Sequence, residues 1–230
     1  MDNSWIVKPI SLTRSIDVSV TNLFDMIIRL PESGSKIACK YISNPVLLKI
    51  PTIAGTGVKF DVRYMLLVRS LRPLKLYVHK IFWLRFAKKS FVMKDFDDPE
   101  IHFTGSNGQQ HGIDCQKFIQ MFNEQHGRNW SMIERQIFQM FREVFHCATA
   151  EDAPLGIGLC SSSRALYAAD LMLEMTEENE MQPKLLEMNM TIDGHRACAD
   201  HPNFLNQIFN VLFRDLIDEQ NILEISMDDI

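Results

Sequence analysis

Lys59-Phe60-Asp61-Val62-Arg63-Tyr64 alternates charged and apolar side chains without a break, and an apolar run carries on to Val68. Successive side chains of a strand point to opposite faces. This stretch is therefore committed to a sheet, with Lys59, Asp61 and Arg63 on one face and Phe60, Val62 and Tyr64 on the other. The Arg72-Pro73 pair marks a turn, and residues 74–86 are expected to return as the hairpin partner, ending in Phe82-Trp83-Leu84-Arg85. A second alternation closes the chain's chemistry. In Lys184-Leu185-Leu186-Glu187-Met188-Asn189 the acid and the amide share one strand face, and Leu186 and Met188 share the other. Asp170 lies on an upstream apolar strand, and antiparallel pairing of the two would bring it across from Glu187 and Asn189. A carboxylate and an amide oxygen held side by side suit a hard divalent cation such as Mg²⁺. Spacing alone equally allows Glu187 and Asn189 simply to end a strand.

Around these strands the chain mixes short elements. Residues 5–8 read as a buried strand stopped by Pro9, and residues 36–42 and 46–50 as further strands. Val20, Leu23, Phe24, Ile27 and Leu30 keep helical spacing, so the periodicity predicts a helix over 16–30. Residues 95–111 read as loop and 114–126 as helix. The strongest helix is expected over 131–149, with Ser131 and Glu134 as a capping box. Pro202 is expected to open a last helix to about Ile217. Hairpins dominate, which predicts an α+β fold with antiparallel pairing. No phosphate-binding G-x-x-x-x-G-K-S/T or G-x-G-x-x-G run is present.

The formal net charge of −5 hides an asymmetry. Residues 59–94 carry ten Lys and Arg against one acid, Asp61, a net of +9, whereas residues 95–230 carry −16. A basic block in an acidic chain is a candidate site for nucleotide phosphates, nucleic acid or an acidic peptide, or else a solvated sheet face. The five cysteines form no C-x-x-C pair, no apolar run reaches membrane-spanning length, and the first residues show no secretory pattern. A reducing, cytoplasmic location is expected.

Four stretches taken together, Trp5-Ile6-Val7-Lys8-Pro9, Lys59-Phe60-Asp61-Val62-Arg63, Tyr167-Ala168-Ala169-Asp170 and Leu186-Glu187-Met188-Asn189, resemble in order and spacing the tubulin-tyrosine-ligase-like family of ATP-grasp amino-acid ligases. Lys40-Tyr41-Ile42, Phe82-Trp83-Leu84-Arg85-Phe86, Ser162-Ser163-Arg164-Ala165 and Arg196-Ala197-Cys198 resemble a divergent branch of it. The resemblance implies an ATP-grasp-like fold, mostly antiparallel sheet with flanking helices. It implies a domain over residues 1–225, a frayed tail over 226–230, and ATP and Mg²⁺ as cofactors. It also implies that the N-terminal part of that fold lies outside this chain, which alone should fold poorly. In such enzymes ATP phosphorylates a carboxylate of the tubulin tail and an amine attacks the acyl phosphate.

Residue by residue, the resemblance implies that Lys8 contacts phosphate and that Lys40, Tyr41 and Ile42 form the adenine hinge. Lys59, Arg63 and Arg85 are substrate-facing cations, with Asp61 orienting them and Thr104 beside them. Asp170, Glu187 and Asn189 are the metal ligands, and Arg63 and Glu187 carry the reaction. Three positions depart from the pattern. Cys39 replaces a hinge glutamine, Gly105 stands where relatives carry asparagine, and the run Ile10-Ser11-Leu12-Thr13-Arg14-Ser15-Ile16-Asp17 has no glycine. Residues with a Cβ keep backbone N–H groups from draping over phosphate. The expectation is a weak or inactive ligase that binds Mg-ATP and acidic tubulin tails. The alternatives are a working ligase on tubulin or another acidic protein and, more distantly, a nucleic-acid module in which Phe82 and Trp83 stack bases beside Arg85.

Overall fold

The computed structural model describes residues 3–10, 16–104, 113–158, 160–190, 192 and 194–225. Along the chain run β1 (Trp5–Pro9), β2 (Ser19–Thr21), α1 (Phe24–Ile28), a 3₁₀ turn (Leu30–Ser33), β3 (Lys36–Lys40), β4 (Leu47–Leu48), β5 (Val58–Leu71), β6 (Leu74–His79) and β7 (Trp83–Phe86). There follow α2 (Pro99–His102), α3 (Cys115–His126), α4 (Trp130–Ala150), β8 (Ala165–Met175), β9 (Met181–Asn189), α5 (Gly194–Asp200), α6 (Phe204–Phe209) with a π-helical turn (Asn210–Arg214), and β10 (Ile222–Glu224). Two compact units share these elements. One takes Met1–Asp61, Leu84–Gly127 and Met172–Gln182, and the other takes Val62–Trp83, Arg128–Leu171 and Pro183–Ile230.

In the first unit, β1 is the middle strand of an antiparallel sheet β2-β1-β3, with Ile6 opposite both Val20 and Cys39. The helix expected over 16–30 is mostly not there. β-branched Val18, Val20 and Thr21 favour extended backbone, and the Thr21 hydroxyl accepts from Leu23 N (3.1 Å). Only the short α1 follows, with no buried residue, so Leu23, Phe24, Met26 and Ile28 face outward. β4 stops at Leu48 because Gln125 replaces a strand partner. Its amide accepts from Lys49 N (2.8 Å) and donates to Lys49 O (3.0 Å). Helix α3 holds Gln125 there, started by the Asp114 side chain on Lys117 N and ended at Gly127 with φ 60°. Phe60 fills this core against Phe118 (5.2 Å between centroids) and Phe86 (6.4 Å).

The second unit is built on a sheet of order β10-β6-β5-β8-β9. The Arg72-Pro73 turn sets Leu71 opposite Leu74, as expected. The expected single return strand divides, however, into β6 and β7, because Ile81 N turns back onto His79 Nδ1 (3.2 Å) and Lys80 N onto Asn221 O (2.8 Å). Strand alternation then sends Tyr64 to one face and Met65 and Leu67 to the other. Tyr64 meets Phe138 and Phe141 of α4, while Met65 and Leu67 pack with Ala197, Phe204, Ile208 and Val211. Asn129, not Ser131, caps α4, accepting from Ser131 N. Glu134 instead takes the Tyr64 hydroxyl (2.7 Å). The last helix begins at Phe204, two residues after Pro202, and α5 precedes it. Residues 226–230, expected to fray, lie outside the described residues. Each unit keeps large apolar side chains exposed, Phe24 and Ile28 in one and Phe209 and Phe213 in the other.

Candidate functional site

Residues singled out from sequence gather into two clusters, one in each unit. In the second unit β5 and β8 pair with Arg63 opposite Asp170. The register makes the contact: Arg63 Nε donates to Asp170 Oδ1 at 2.6 Å and Nη2 to Oδ2 at 2.7 Å. Such a planar two-point fork is the strongest geometry a guanidinium offers a carboxylate. The Asp170 side chain is 1% exposed and that of Arg63 23%. From β9, beside β8 in the sheet, Asn189 Nδ2 reaches Asp170 Oδ2 (3.4 Å) and Glu187 Oε1 (3.1 Å). Asp170, Glu187 and Asn189 are thus brought together, and Glu187 is exposed.

Among the described residues no group of three or more His, Cys, Asp and Glu converges to hold a metal. The cluster here is two carboxylates and an amide. These are hard oxygen donors with one carboxylate in excess over Arg63, and that chemistry fits Mg²⁺. The Asn189 amide already sits within hydrogen-bonding reach of both acids, so the three groups address one small volume.

The first unit's cluster centres on Asp61, also 1% exposed. Arg85 Nε donates to Asp61 Oδ1 at 2.7 Å, and the Thr104 hydroxyl donates to Oδ2. The cation on its other side, Lys59, is 3% exposed. Its ammonium donates to Tyr41 Oη (2.8 Å) and His102 O (3.2 Å) and lies 4.4 Å from the Tyr41 ring centroid. Lys59 is therefore enclosed by protein rather than presented to a substrate. Burial pulls its pKa down from 10.5 to about 7, against the opposing pull of Asp61.

His102 completes this group and carried no role in the sequence reading. Its Nε2 donates to the Lys94 carbonyl (2.9 Å). Burial lowers its pKa and favours the neutral ring, so Nδ1 accepts from the Tyr41 hydroxyl (2.7 Å). That hydroxyl in turn accepts from Lys59. Forty-three residues separate Lys59 from His102, and no spacing rule links them.

Of the remaining candidates, Tyr41 joins the first unit's cluster through its hydroxyl, and Lys8, Lys40 and Ile42 take no part in the contacts described above. Lys8 is on β1 opposite Ile37. Lys40 ends β3 with its ammonium 5.3 Å from the Trp5 ring centroid. Tyr41 is buried with its N–H on Ser4 O (3.0 Å), and Ile42 follows it. Of the glycine-free run, residues 11–15 lie outside the described residues.

The basic block proves less available than its net charge implies. Arg63, Arg69, Arg72, Arg85, Lys88 and Lys89 each hold a carboxylate, and apart from Asp61 these acids come from residues beyond 94. Lys80 donates to the Glu219 carbonyl (2.7 Å). The stacking alternative fails on burial. Phe82 packs on Tyr64 and Trp130, and Trp83 on Phe204, so neither ring offers a face to a base. Among the described residues no helix is long and apolar enough to cross a membrane.

Comparison with known proteins matches residues 1–223 to the sequence model of the Tubulin-tyrosine ligase family. Tubulin–tyrosine ligase-like protein 12 of Homo sapiens is 43% identical over 223 residues, covering 93% of this chain and 34% of the relative. Its namesake in Caenorhabditis elegans is 37% identical, covering 97% and 34%. Tubulin glycylase 3E of Tetrahymena thermophila is 24% identical, covering 96% and 16%. The chain thus spans about a third of the length of the protein 12 relatives it matches.

Proposed function

Because this chain belongs to the tubulin-tyrosine ligase family, we propose that it binds Mg-ATP and an acidic protein tail and takes part in tubulin modification as a weak or inactive ligase. The observation that carries the reading is the convergence of Asp170, Glu187 and Asn189 beside Arg63. On this reading those three residues hold Mg²⁺, which when bound neutralises phosphate charge and polarises a phosphoryl oxygen. Lys8, Lys40, Tyr41 and Ile42 address the nucleotide, and work beside the cytoskeleton follows.

The protein's own groups supply the rest. Arg85, fixed by Asp61 and Thr104, presents a guanidinium to a carboxylate of a tail. Two features weaken turnover. The run 10–17 lacks the glycine that lets backbone N–H groups close on phosphate. Lys59 is buried with a pKa of about 7, so at neutral pH it spends much of its time uncharged and holds an anion poorly.

Calorimetry of the purified chain with ATP, with and without Mg²⁺, tests the binding half of this proposal, and Mg²⁺-dependent binding is expected. Incubation with tubulin and labelled amino acids tests the other half. Incorporation at the rate of an active glycylase or polyglutamylase would replace the weak ligase with a working one. Absence of ATP binding would remove the nucleotide reading altogether.

A further inference from the structure

The polar groups that would meet a cation in the Asp170 cluster are engaged with one another. Both carboxylate oxygens of Asp170 accept from the Arg63 fork, and the Asn189 amide donates to Asp170 and to Glu187. A carboxylate 1% exposed needs such a counter-charge, since the desolvated anion would otherwise be uncompensated. A hard divalent cation at Asp170 would compete with the bidentate guanidinium for the charge of these two oxygens. A dication at Asp170 would also repel a guanidinium held 2.6 Å from Oδ1. The two partners differ in freedom. Asp170 is enclosed within the sheet, whereas Arg63 keeps 23% of its side chain open and has a path outward.

We propose that the Arg63–Asp170 pair is an exchange latch: a divalent cation taken up by Asp170, Glu187 and Asn189 displaces the Arg63 guanidinium, which is then free to bind an oxyanion. The proposal rests on the magnesium reading above and adds an order to it. The cation comes first, and the arginine is released for a carboxylate or phosphate second. Arg63 thereby acts as the counter-ion of Asp170 without the cation and as an oxyanion ligand once the cation has taken its place. Thermodynamic reciprocity requires the oxyanion to tighten cation binding by the factor by which the cation tightens oxyanion binding.

The test uses the whole chain with Mg²⁺ as probe. Arginines are labelled with phenylglyoxal and quantified by peptide mass spectrometry in Mg²⁺ and in Na⁺ at matched ionic strength, while calorimetry measures Mg²⁺ binding independently. Labelling of Arg63 is expected to rise severalfold in Mg²⁺, that of Arg85 to stay constant, and Glu187→Gln to abolish the rise. Mg²⁺ binding that leaves Arg63 labelling unchanged, or lowers it, overturns the latch and spares the magnesium reading. No Mg²⁺ binding overturns both. With a glutamate-rich peptide and, separately, inorganic phosphate, Mg²⁺ should tighten binding of the oxyanion that uses Arg63 by roughly fivefold or more. If neither responds, the released arginine has no such role and the proposal falls.

Discussion

Asp61 and Asp170 are equally buried and each holds an arginine about one quarter exposed, yet they keep opposite company. Asp170 sits with a second carboxylate, Glu187, so acid is in excess over Arg63. Asp61 sits with a second basic side chain, Lys59, so basic groups are in excess over the acid. The satisfaction of the buried acids differs in the same sense. Asp170 gives both oxygens to one guanidinium, whereas Asp61 divides its oxygens between Arg85 and the Thr104 hydroxyl. The lesson is that a buried Asp–Arg pair is neutral ground. Its third neighbour decides whether the cluster seeks a cation or an anion.

Removing the arginines should separate the two most sharply. Arg63→Gln leaves Asp170 without its bidentate partner and is expected to cost about 3–5 kcal/mol in urea denaturation. Arg85→Gln should cost less, about 2 kcal/mol, because Thr104 still donates to Asp61. Equal costs would mean that the third neighbours are idle and that the comparison fails.

Lys59 gives the next largest effect, with the opposite sign. Its folded pKa is about 7 against an ordinary 10.5, so between those values the unfolded chain holds a proton that the folded chain has shed. Stability therefore rises with pH through that window and declines as pH falls towards 7. The rise between pH 7 and pH 9 should be about 2 kcal/mol. Lys59→Met should flatten it and stabilise the chain at neutral pH, while leaving affinity for a glutamate-rich peptide unchanged, because the ammonium is enclosed by Tyr41 and His102. A stabilised variant with diminished peptide binding would assign the buried lysine a part in anion recognition.

Thr104→Val follows. It strips one donor from a buried carboxylate and is expected to cost about 1–2 kcal/mol. The Asp61 cluster should then become more dependent on Arg85, so that the double variant with Arg85→Gln costs more than the sum of the two singles. Additive losses would show that the two donors do not share Asp61.

The strand alternations were legible because a period of two is local. Lys59, Asp61 and Arg63 announce a strand, and the approach of Asp170 to Glu187 and Asn189 follows from pairing two such strands. What sequence misplaced has long-range causes. The helical spacing over 16–30 was outcompeted by β1, which recruits Val20 into a sheet. The charge of the block over 59–94 was read without its partners, which lie as far away as Asp215. Alternation puts Lys59 on the charged face of its strand and the resemblance makes it substrate-facing, whereas Tyr41 and His102 enclose it. Alternation tells which face a side chain takes, not what covers that face.

The smallest expected change in stability is also the most discriminating in function. Glu187 is exposed, and its contact is the Asn189 amide at 3.1 Å. Glu187→Gln should therefore shift the urea midpoint by less than about 0.5 kcal/mol. It nevertheless removes the carboxylate that gives the Asp170 cluster its excess of acid, since Asp170 alone only balances Arg63. Mg²⁺ affinity measured by calorimetry should fall by about tenfold or more, the loss of one charged hard ligand. Affinity of the Asp61 cluster for an acidic peptide in the absence of Mg²⁺ should not change. A variant that binds Mg²⁺ normally would show that the excess acid is ornamental and that the cation, if bound, sits elsewhere. One that unfolds would show Glu187 to be a structural member of the sheet, and the distinction between a balanced pair and its deciding neighbour would no longer hold for Asp170.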